Sequence, residues 1–129
     1  MSKTKVTNVD MLNGLNALIS IKDEKLPVKI SYGIKKNIEI LTKELVPYDK
    51  EREELINKYG QKDLDGKLKI KDNNYIIEDI PNFNKDIIEL QNIENEIDVH
   101  YISLDILLNS DAEMSTAELT AIEFMLKEN

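Results

Sequence analysis

The feature that most constrains this chain is a row of apolar residues spaced alternately four and three apart. The row consists of Ile34, Ile38, Leu41, Leu45, Tyr48, Leu55 and Tyr59, and Arg52 alone interrupts it. A sustained period of 3.5 residues is typical of a helix with one apolar face, whereas a strand has a period of two. The spacing therefore predicts one long helix over residues 27–60, and roughly 30 helical residues span about 45 Å at about 1.5 Å per residue.

Pro47 lies inside this predicted helix. Its ring removes one backbone donor and clashes with the carbonyl of Lys43, so the helix should bend there. We expect a kink because the apolar row keeps its phase on both sides of the proline. The alternative is a break, with Pro47 starting a second helix. Pro27 suits the first turn, and Gly60 is expected to end the helix in the left-handed conformation.

Apolar residues at helical spacing predict three shorter helices, over residues 8–21, 83–97 and 115–127. Asn8 is the expected N-cap of the first helix, and Asn82 or Asn84 that of the second. Ser115 and Glu118 have the spacing of a capping box, in which each residue satisfies a backbone donor of the other.

A short β-hairpin is predicted over residues 67–79, because Leu68 and Ile70 alternate with lysines and a second apolar run follows a polar turn. Residues 97–101 also alternate and are expected to add to this hairpin. The polar residues 1–7 are expected to fray.

The predicted fold is mainly α, of the α+β class. A long kinked central helix is packed by shorter helices and carries a small β-hairpin, in a single domain over residues 1–129.

Composition excludes several classes of protein. The chain has no cysteine, which rules out disulfides, a thiolate nucleophile and a zinc–thiolate site. It has no apolar run of the roughly 18 residues that a membrane span needs, and its N-terminus lacks the apolar run of a signal peptide. We therefore expect a soluble, cytosolic protein that does not contact membranes.

Charge is placed unevenly along the chain. Residues 1–60 hold 11 Lys and Arg against 9 Asp and Glu, whereas residues 61–129 hold 6 against 16. This asymmetry suits either a solvated acidic face or a polar surface for a partner or a second copy. Lys and Arg are too scattered for direct nucleic-acid binding to be expected.

One local pattern resembles a calcium-binding loop. Asp63, Asp65 and Asp72 fall at ligand positions of the twelve-residue frame, and Gly66 falls at its turn position. However, Gln61 occupies the first position, and lysines line the loop. We therefore predict no metal site, and favour a turn in which Gly66 supplies a positive φ angle.

No catalytic constellation is visible, so we expect neither an enzyme nor a cofactor. His100 is the only histidine and has no cysteine or second histidine to join it. It is expected to be a half-exposed strand residue.

Several segments carry a resemblance to a known family. They are LPVKISYGIKKNIEIL at 26–41, REELINKYG at 52–60, DLDGK at 63–67 and AELTAIEFM at 117–125. With them, nearly the whole chain resembles a family of small uncharacterised phage and prophage proteins from Gram-positive bacteria. The resemblance implies a viral context, either in the virion or its assembly or as an accessory protein, and hence a location in the host cytoplasm or in the virion. It implies no active-site residues.

The preferred hypothesis is a non-enzymatic phage protein that acts through protein–protein contacts, with itself or with a phage or host protein. The contact residues predicted along the long helix are Tyr32, Leu41, Leu45, Tyr48 and Tyr59; the competing interpretation is that this row is simply core. The alternative function is an acidic, anti-CRISPR-like inhibitor of a host defence system that occupies a nucleic-acid-binding surface.

Overall fold

The computed structural model describes residues 3–128, and the chain divides into two compact units. The first unit takes the residues up to Leu45 and from Glu94 onward, and the second takes Val46–Ile93. The single domain predicted over residues 1–129 stays a prediction. The elements in chain order are β1 (Thr4–Thr7), α1 (Asn8–Ile21), α2 (Val28–Glu44), α3 (Val46–Tyr59), β2 (Ile70–Lys71), β3 (Asn74–Tyr75), α4 (Ile80–Gln91), β4 (Glu94–Ile97), β5 (Ile102–Ser103), α5 (Leu104–Leu108), α6 (Thr116–Ile122), a 3-10 turn (Glu123–Met125) and β6 (Leu126–Lys127).

Among residues 3–128 helices predominate, and every sheet has two strands, so the mainly helical α+β class is confirmed. The predicted continuous, kinked helix over residues 27–60 is not confirmed. The structure has two helices there, and Leu45 lies between them with φ −85° and ψ −4°. This interruption comes two residues before Pro47, where the missing donor and the ring weaken the helical ladder.

The first unit begins with a strand, so the expected fraying of residues 1–7 is wrong for Thr4–Thr7. β1 pairs antiparallel with β4, from Thr4 opposite Ile97 to Thr7 opposite Glu94. Helix α1 has the predicted bounds, but Thr7 is its N-cap instead of Asn8. The Thr7 hydroxyl accepts from the Asp10 backbone at 3.1 Å, and the Asp10 carboxylate accepts from the Thr7 backbone at 3.4 Å.

The end of the first unit also differs from the predicted helix over residues 115–127. The Ser115–Glu118 capping box is present, but α6 ends at Ile122 and a 3-10 turn follows. The last described residues form β6, which pairs parallel with β5 (Ile102 opposite Leu126). This non-local pairing overrides the helical spacing of the segment.

In the second unit, α3 and α4 pack together and a small β structure lies between them in sequence. The predicted hairpin over residues 67–79 is reduced to β2 and β3, joined by the two-residue turn Asp72–Asn73. Both turn residues have positive φ, 53° and 65°, as a type I′ hairpin turn requires. Residues 97–101 do not add to this hairpin, because β4 pairs with β1.

The two glycines that the sequence singled out behave differently. Gly66 has φ +79°, which confirms its role as a turn residue. Gly60 is not among the described positive-φ residues, so its prediction as a left-handed terminator is wrong. Gly60 is required by close approach instead, since a Cβ there would lie 2.5 Å from the Ile56 carbonyl oxygen and 2.5 Å from Leu68 Cδ2.

Helix α4 runs over Ile80–Gln91, so the prediction of a helix over residues 83–97 is shifted by three residues at its start and is too long at its end. The Asp79 carboxylate caps it by accepting from the Asn82 backbone at 3.3 Å, so neither Asn82 nor Asn84 is the cap. No helix within residues 3–128 is long and apolar enough for a membrane span.

Candidate functional site

In the first unit, helix α2 packs closely against the segment that contains His100. Gly33 makes this approach possible, because a Cβ there would lie 2.8 Å from Ile102 Cγ1 and 3.3 Å from His100 Cδ2. One turn further along α2, the fully buried side chain of Asn37 hydrogen-bonds both polar groups of the His100 backbone. Its Nδ2 donates to the His100 carbonyl at 2.8 Å, and its Oδ1 accepts from the His100 N–H at 2.7 Å. The position of His100 is therefore fixed by α2.

The imidazole of His100 is half-buried and meets Tyr32 of α2 edge to face. The ring centroids are 5.5 Å apart and the ring planes are inclined by 74°, which is a favourable aromatic geometry. Tyr101, the next residue, is tied to β1 by a hydrogen bond of 2.9 Å between its hydroxyl and that of Thr4. The Tyr32 and His100 rings therefore form one aromatic pair, and Tyr101 lies next to it in the chain on a backbone that is held at both places.

These residues line an open cleft of about 680 Å³, which we call the α2 cleft. Its lining consists of Val28, Lys29 and Tyr32 from α2, the residues 100–103, Ile106 from α5, and Lys127 from β6. The floor is apolar and rigid, since Ile102 is buried and Ser103 caps α5 by accepting from the Ile106 N–H at 3.3 Å. Clefts of this size with an apolar floor and a few polar groups are typical of binding sites.

The charge of the α2 cleft is opposite in sign to that of the whole chain. Lys29 and Lys127 are both exposed at the cleft, and none of the described residues that line it carries a carboxylate. The chain as a whole has a formal net charge of −8. Lys36 Nζ lies 5.9 Å from the Tyr32 ring centroid, and Lys127 Nζ lies 5.6 Å from the Tyr101 ring centroid. Both distances are in the range of cation–π attraction.

A larger groove of about 1050 Å³ lies between α1 and α6, and one side chain of each helix is hydrogen-bonded to the other across it. The Ser20 hydroxyl of α1 donates to the Glu118 carboxylate of α6 at 2.6 Å. Hydrogen bonds to the carboxylate, first from the Ser115 backbone and then from the Ser20 side chain, lower the pKa of Glu118 from its ordinary value. This groove is therefore a helix–helix contact, and the α2 cleft is the better candidate site.

In the second unit, Tyr59 joins α3 to α4. Its hydroxyl donates to the Asp86 carboxylate at 2.6 Å, and its ring meets Phe83 edge to face with centroids 6.0 Å apart. The hydrogen bond to Asp86, followed by desolvation, raises the pKa of Tyr59. Tyr59 therefore has a structural role within this unit, and its predicted contact role stays a prediction.

The other predicted contact residues fall into two groups. Leu41, Leu45 and Tyr48 are buried, with exposed fractions of 0%, 3% and 4%, so they present no surface to a partner in this structure. For these three residues we correct the contact assignment to core, because the spacing that predicts an apolar helix face does not tell which part of that face stays exposed. Tyr32 is different, because it is 52% exposed and lies at the α2 cleft.

The segment that resembles a calcium loop is built as turns. The Asp63 carboxylate accepts from the backbone N–H groups of Asp65 at 2.9 Å and Lys67 at 3.0 Å, which stabilises the turn at Gly66. Asp72 lies in the separate β2–β3 turn. In the part of the chain that the structure describes, no group of three or more His, Asp or Glu side chains is placed to hold a metal ion.

The site that the structure assembles is not apparent from the sequence. His100 is half-buried, as expected, but it lies between β4 and β5 and not in a strand, and no motif marks Asn37, Tyr101 or Lys127. One signal was present: Asn37 lies on the predicted apolar helix among Ile34, Ile38 and Leu41. A polar residue there predicts a specific hydrogen-bonding partner, although not its identity.

Comparisons with family models, with curated proteins and with solved structures find no match to this chain.

Proposed function

We propose that this chain is a non-enzymatic protein that acts through protein–protein contacts, and that the α2 cleft is its contact surface. The observation that supports this most directly is the group of exposed apolar and aromatic side chains around the cleft. Val28, Tyr32 and Tyr101 are 83%, 52% and 41% exposed. Aromatic residues are enriched in protein interfaces because they bury a large area with few rotatable bonds.

The backbone beneath these side chains is held in place before any partner arrives. The two hydrogen bonds from Asn37 and the close approach at Gly33 set the position of the segment that carries His100 and Tyr101. A preorganised surface loses less conformational entropy on binding, which favours affinity. Contact with a partner is therefore the function that this geometry supports best.

The resemblance to phage and prophage proteins suggests the setting for this contact. We infer that the partner is a virion or assembly protein, a second copy of this chain, or a host protein that an accessory factor meets.

A photo-crosslinking amino acid in place of Tyr32 tests the proposal in cells in which the phage or prophage is active, and in purified virions. We expect one discrete adduct, identified by mass spectrometry. The matched control places the same amino acid at Ile19 of α1, which is similarly exposed at 46% but does not line the α2 cleft. A ladder of equal adducts from both positions, or none from either, would contradict the proposal.

Sedimentation equilibrium of the purified chain separates a homomeric contact from a heteromeric one. If the partner is a second copy, the wild-type chain should be a dimer or larger oligomer, and Tyr32→Ala should shift it toward the monomer. If the wild-type chain is a monomer at high micromolar concentration, the contact is with a different protein.

A second candidate function, the acidic inhibitor, is supported by the exposed carboxylates that begin at β4. Glu94, Glu96 and Asp98 are all exposed and alternate along an extended segment, so their side chains share one face. Such an inhibitor would be steered to a basic nucleic-acid-binding surface and would bind much more weakly as salt increases. An adduct from a photo-crosslinking amino acid in place of Glu96 to a nucleic-acid-binding host protein, lost steeply between 50 and 300 mM salt (on the order of a hundredfold), would favour this alternative.

A further inference from the structure

We propose that the α2 cleft receives an extended acidic segment of the partner protein. In this complex an apolar or aromatic side chain of the segment lies on the floor of the cleft, and its carboxylates face Lys29 and Lys127. This inference rests on the proposed function, and it adds the chemistry of the partner.

The first argument is charge complementarity. Lys29 comes from α2 and Lys127 from β6, so two separate elements place a cation at the same cleft. Lys36 adds a third cation beside Tyr32. The nearest acidic residues in sequence, Asp105 and Glu128, are exposed but do not line the cleft. An acidic partner is therefore attracted locally, whereas the negative charge of the rest of the chain repels it elsewhere.

The second argument is the character of the floor. Ile102 is buried beneath the cleft, Ile106 is half-buried, and the Tyr32 and His100 rings stand beside them. A purely acidic segment would leave this surface uncovered, so the occupant needs at least one apolar side chain. An aromatic ring is favoured, because it can contact the Tyr32 edge and the aliphatic stems of the lysines at once.

The third argument concerns size. Val28 and Tyr101 both line the cleft and are 83% and 41% exposed, so the lining is widely open to solvent. A polypeptide that crosses the cleft covers both, and in extended form it presents alternate side chains to the same surface about 7 Å apart.

The test uses the isotope-labelled full chain and a synthetic probe, the acetylated and amidated peptide Glu-Glu-Phe-Glu-Glu. We expect amide and side-chain shifts at Tyr32, His100, Ile102 and Lys127 with saturable, millimolar or tighter binding. The peptide Lys-Lys-Phe-Lys-Lys should cause no such shifts, and Glu-Glu-Ala-Glu-Glu should bind more weakly. If the peptide with phenylalanine causes no localised shifts at millimolar concentration, the inference is wrong.

Charge reversal at the cleft provides the second measurement. The variant Lys29→Glu/Lys127→Glu should weaken the probe peptide about tenfold, since each exposed ion pair contributes modestly and reversal makes it repulsive. The matched control is Lys22→Glu/Lys43→Glu, which changes the net charge by the same amount at exposed lysines outside the cleft. Equal weakening in both variants would show attraction by net charge alone and would overturn the inference.

Phenylacetate, a small aromatic anion, distinguishes a small-molecule site from a peptide site. The inference expects it to bind more weakly than the peptide, and equal or tighter binding would overturn it. Failure of this inference is distinct from failure of the proposed function. A discrete crosslink from position 32 together with no acidic-peptide binding would keep the contact role and remove the acidic partner.

Discussion

The first unit and the second unit differ in what holds their elements together. Nearly all buried apolar side chains lie in the first unit, and the second contributes only Tyr48, Ile56 and Leu90 among the described residues. The first unit also buries polar Asn37, whose bonds join residues 63 positions apart. The second depends on the Tyr59–Asp86 bond, on an edge-to-face ring pair and on short turns.

This difference explains where a binding surface can be placed. A site needs a backbone that does not move when a partner contacts it, and the larger core of the first unit provides one beneath the α2 cleft. Regions with few buried apolar contacts open at lower free energy. We therefore expect the second unit to exchange its amide hydrogens sooner than the first.

The largest expected effect follows from removal of the Asn37 side-chain amide. In Asn37→Leu the His100 N–H and carbonyl lose their partners in a part-buried position, which should cost about 2–4 kcal/mol of unfolding free energy. Urea denaturation measures this loss. The control Asn57→Leu, on an exposed position of α3, should change stability by less than about 0.5 kcal/mol. Equal losses of unfolding free energy in Asn37→Leu and Asn57→Leu would mean that the hydrogen bonds of the buried Asn37 amide do not stabilise the first unit.

The next effect belongs to the second unit. Gly60→Ala places a Cβ where Ile56 oxygen and Leu68 Cδ2 would each be 2.5 Å away, and the oxygen belongs to a helix backbone that cannot easily shift. We expect a loss of about 1–3 kcal/mol. Hydrogen exchange should show faster opening in residues 46–93 and little change in α1. Acceleration spread evenly over both units would argue that they unfold as one.

A smaller effect is expected at the start of α6. Ser115→Ala removes the hydroxyl that accepts from the Glu118 N–H at 3.0 Å. Loss of such a cap costs about 1 kcal/mol. Thermal unfolding followed by circular dichroism measures it, and Ser115→Asp, which restores an acceptor, should recover most of the loss. No recovery would show that the hydroxyl has another role.

The smallest effects are those of pH, and they should have opposite signs in the two units. The pKa of Glu118 is lowered in the folded chain, so its contribution is present above its ordinary pKa and is lost as pH falls through the folded value. The pKa of Tyr59 is raised, so its contribution is present below its ordinary pKa and is lost as pH rises through the folded value.

Urea denaturation across the pH range measures both contributions. Glu118→Gln should flatten only the acid limb of the stability profile, and Tyr59→Phe should flatten only the alkaline limb. If either variant alters the acid and alkaline limbs equally, the contacts of the Glu118 carboxylate and of the Tyr59 phenol do not contribute independently to stability.

Much of the local structure could be predicted from local signals. The bounds of α1, the Ser115–Glu118 capping box and the positive φ of Gly66 each depend on residues within a few positions of one another. The predicted helix over residues 83–97 has the wrong bounds at both ends. Asp79 caps α4 before the predicted start, and Glu94–Ile97 forms β4 because it pairs with β1, a strand about ninety residues earlier.

The candidate site also shows that local sequence signals do not predict long-range contacts. Tyr32 is exposed and its contact role stays a prediction, whereas Leu41, Leu45 and Tyr48, which lie on the apolar row, are buried. Periodicity states which side of a helix is apolar. It does not state what covers that side, because the covering segments are distant in sequence.

The sequence by itself determined that the chain is mainly helical, the bounds of α1, the Ser115–Glu118 capping box and the turn at Gly66, because these depend on interactions between residues close together in the chain. Only the tertiary structure decided that Asn37 holds His100 and that Lys29 and Lys127 meet at one cleft. Pairings of this kind give no recognisable period or motif in the sequence. Packing decides which strands of two to four residues pair and which single hydrogen bonds form. For this chain, therefore, local chemistry accounts for the elements, and long-range packing accounts for the surface on which a partner is proposed to bind.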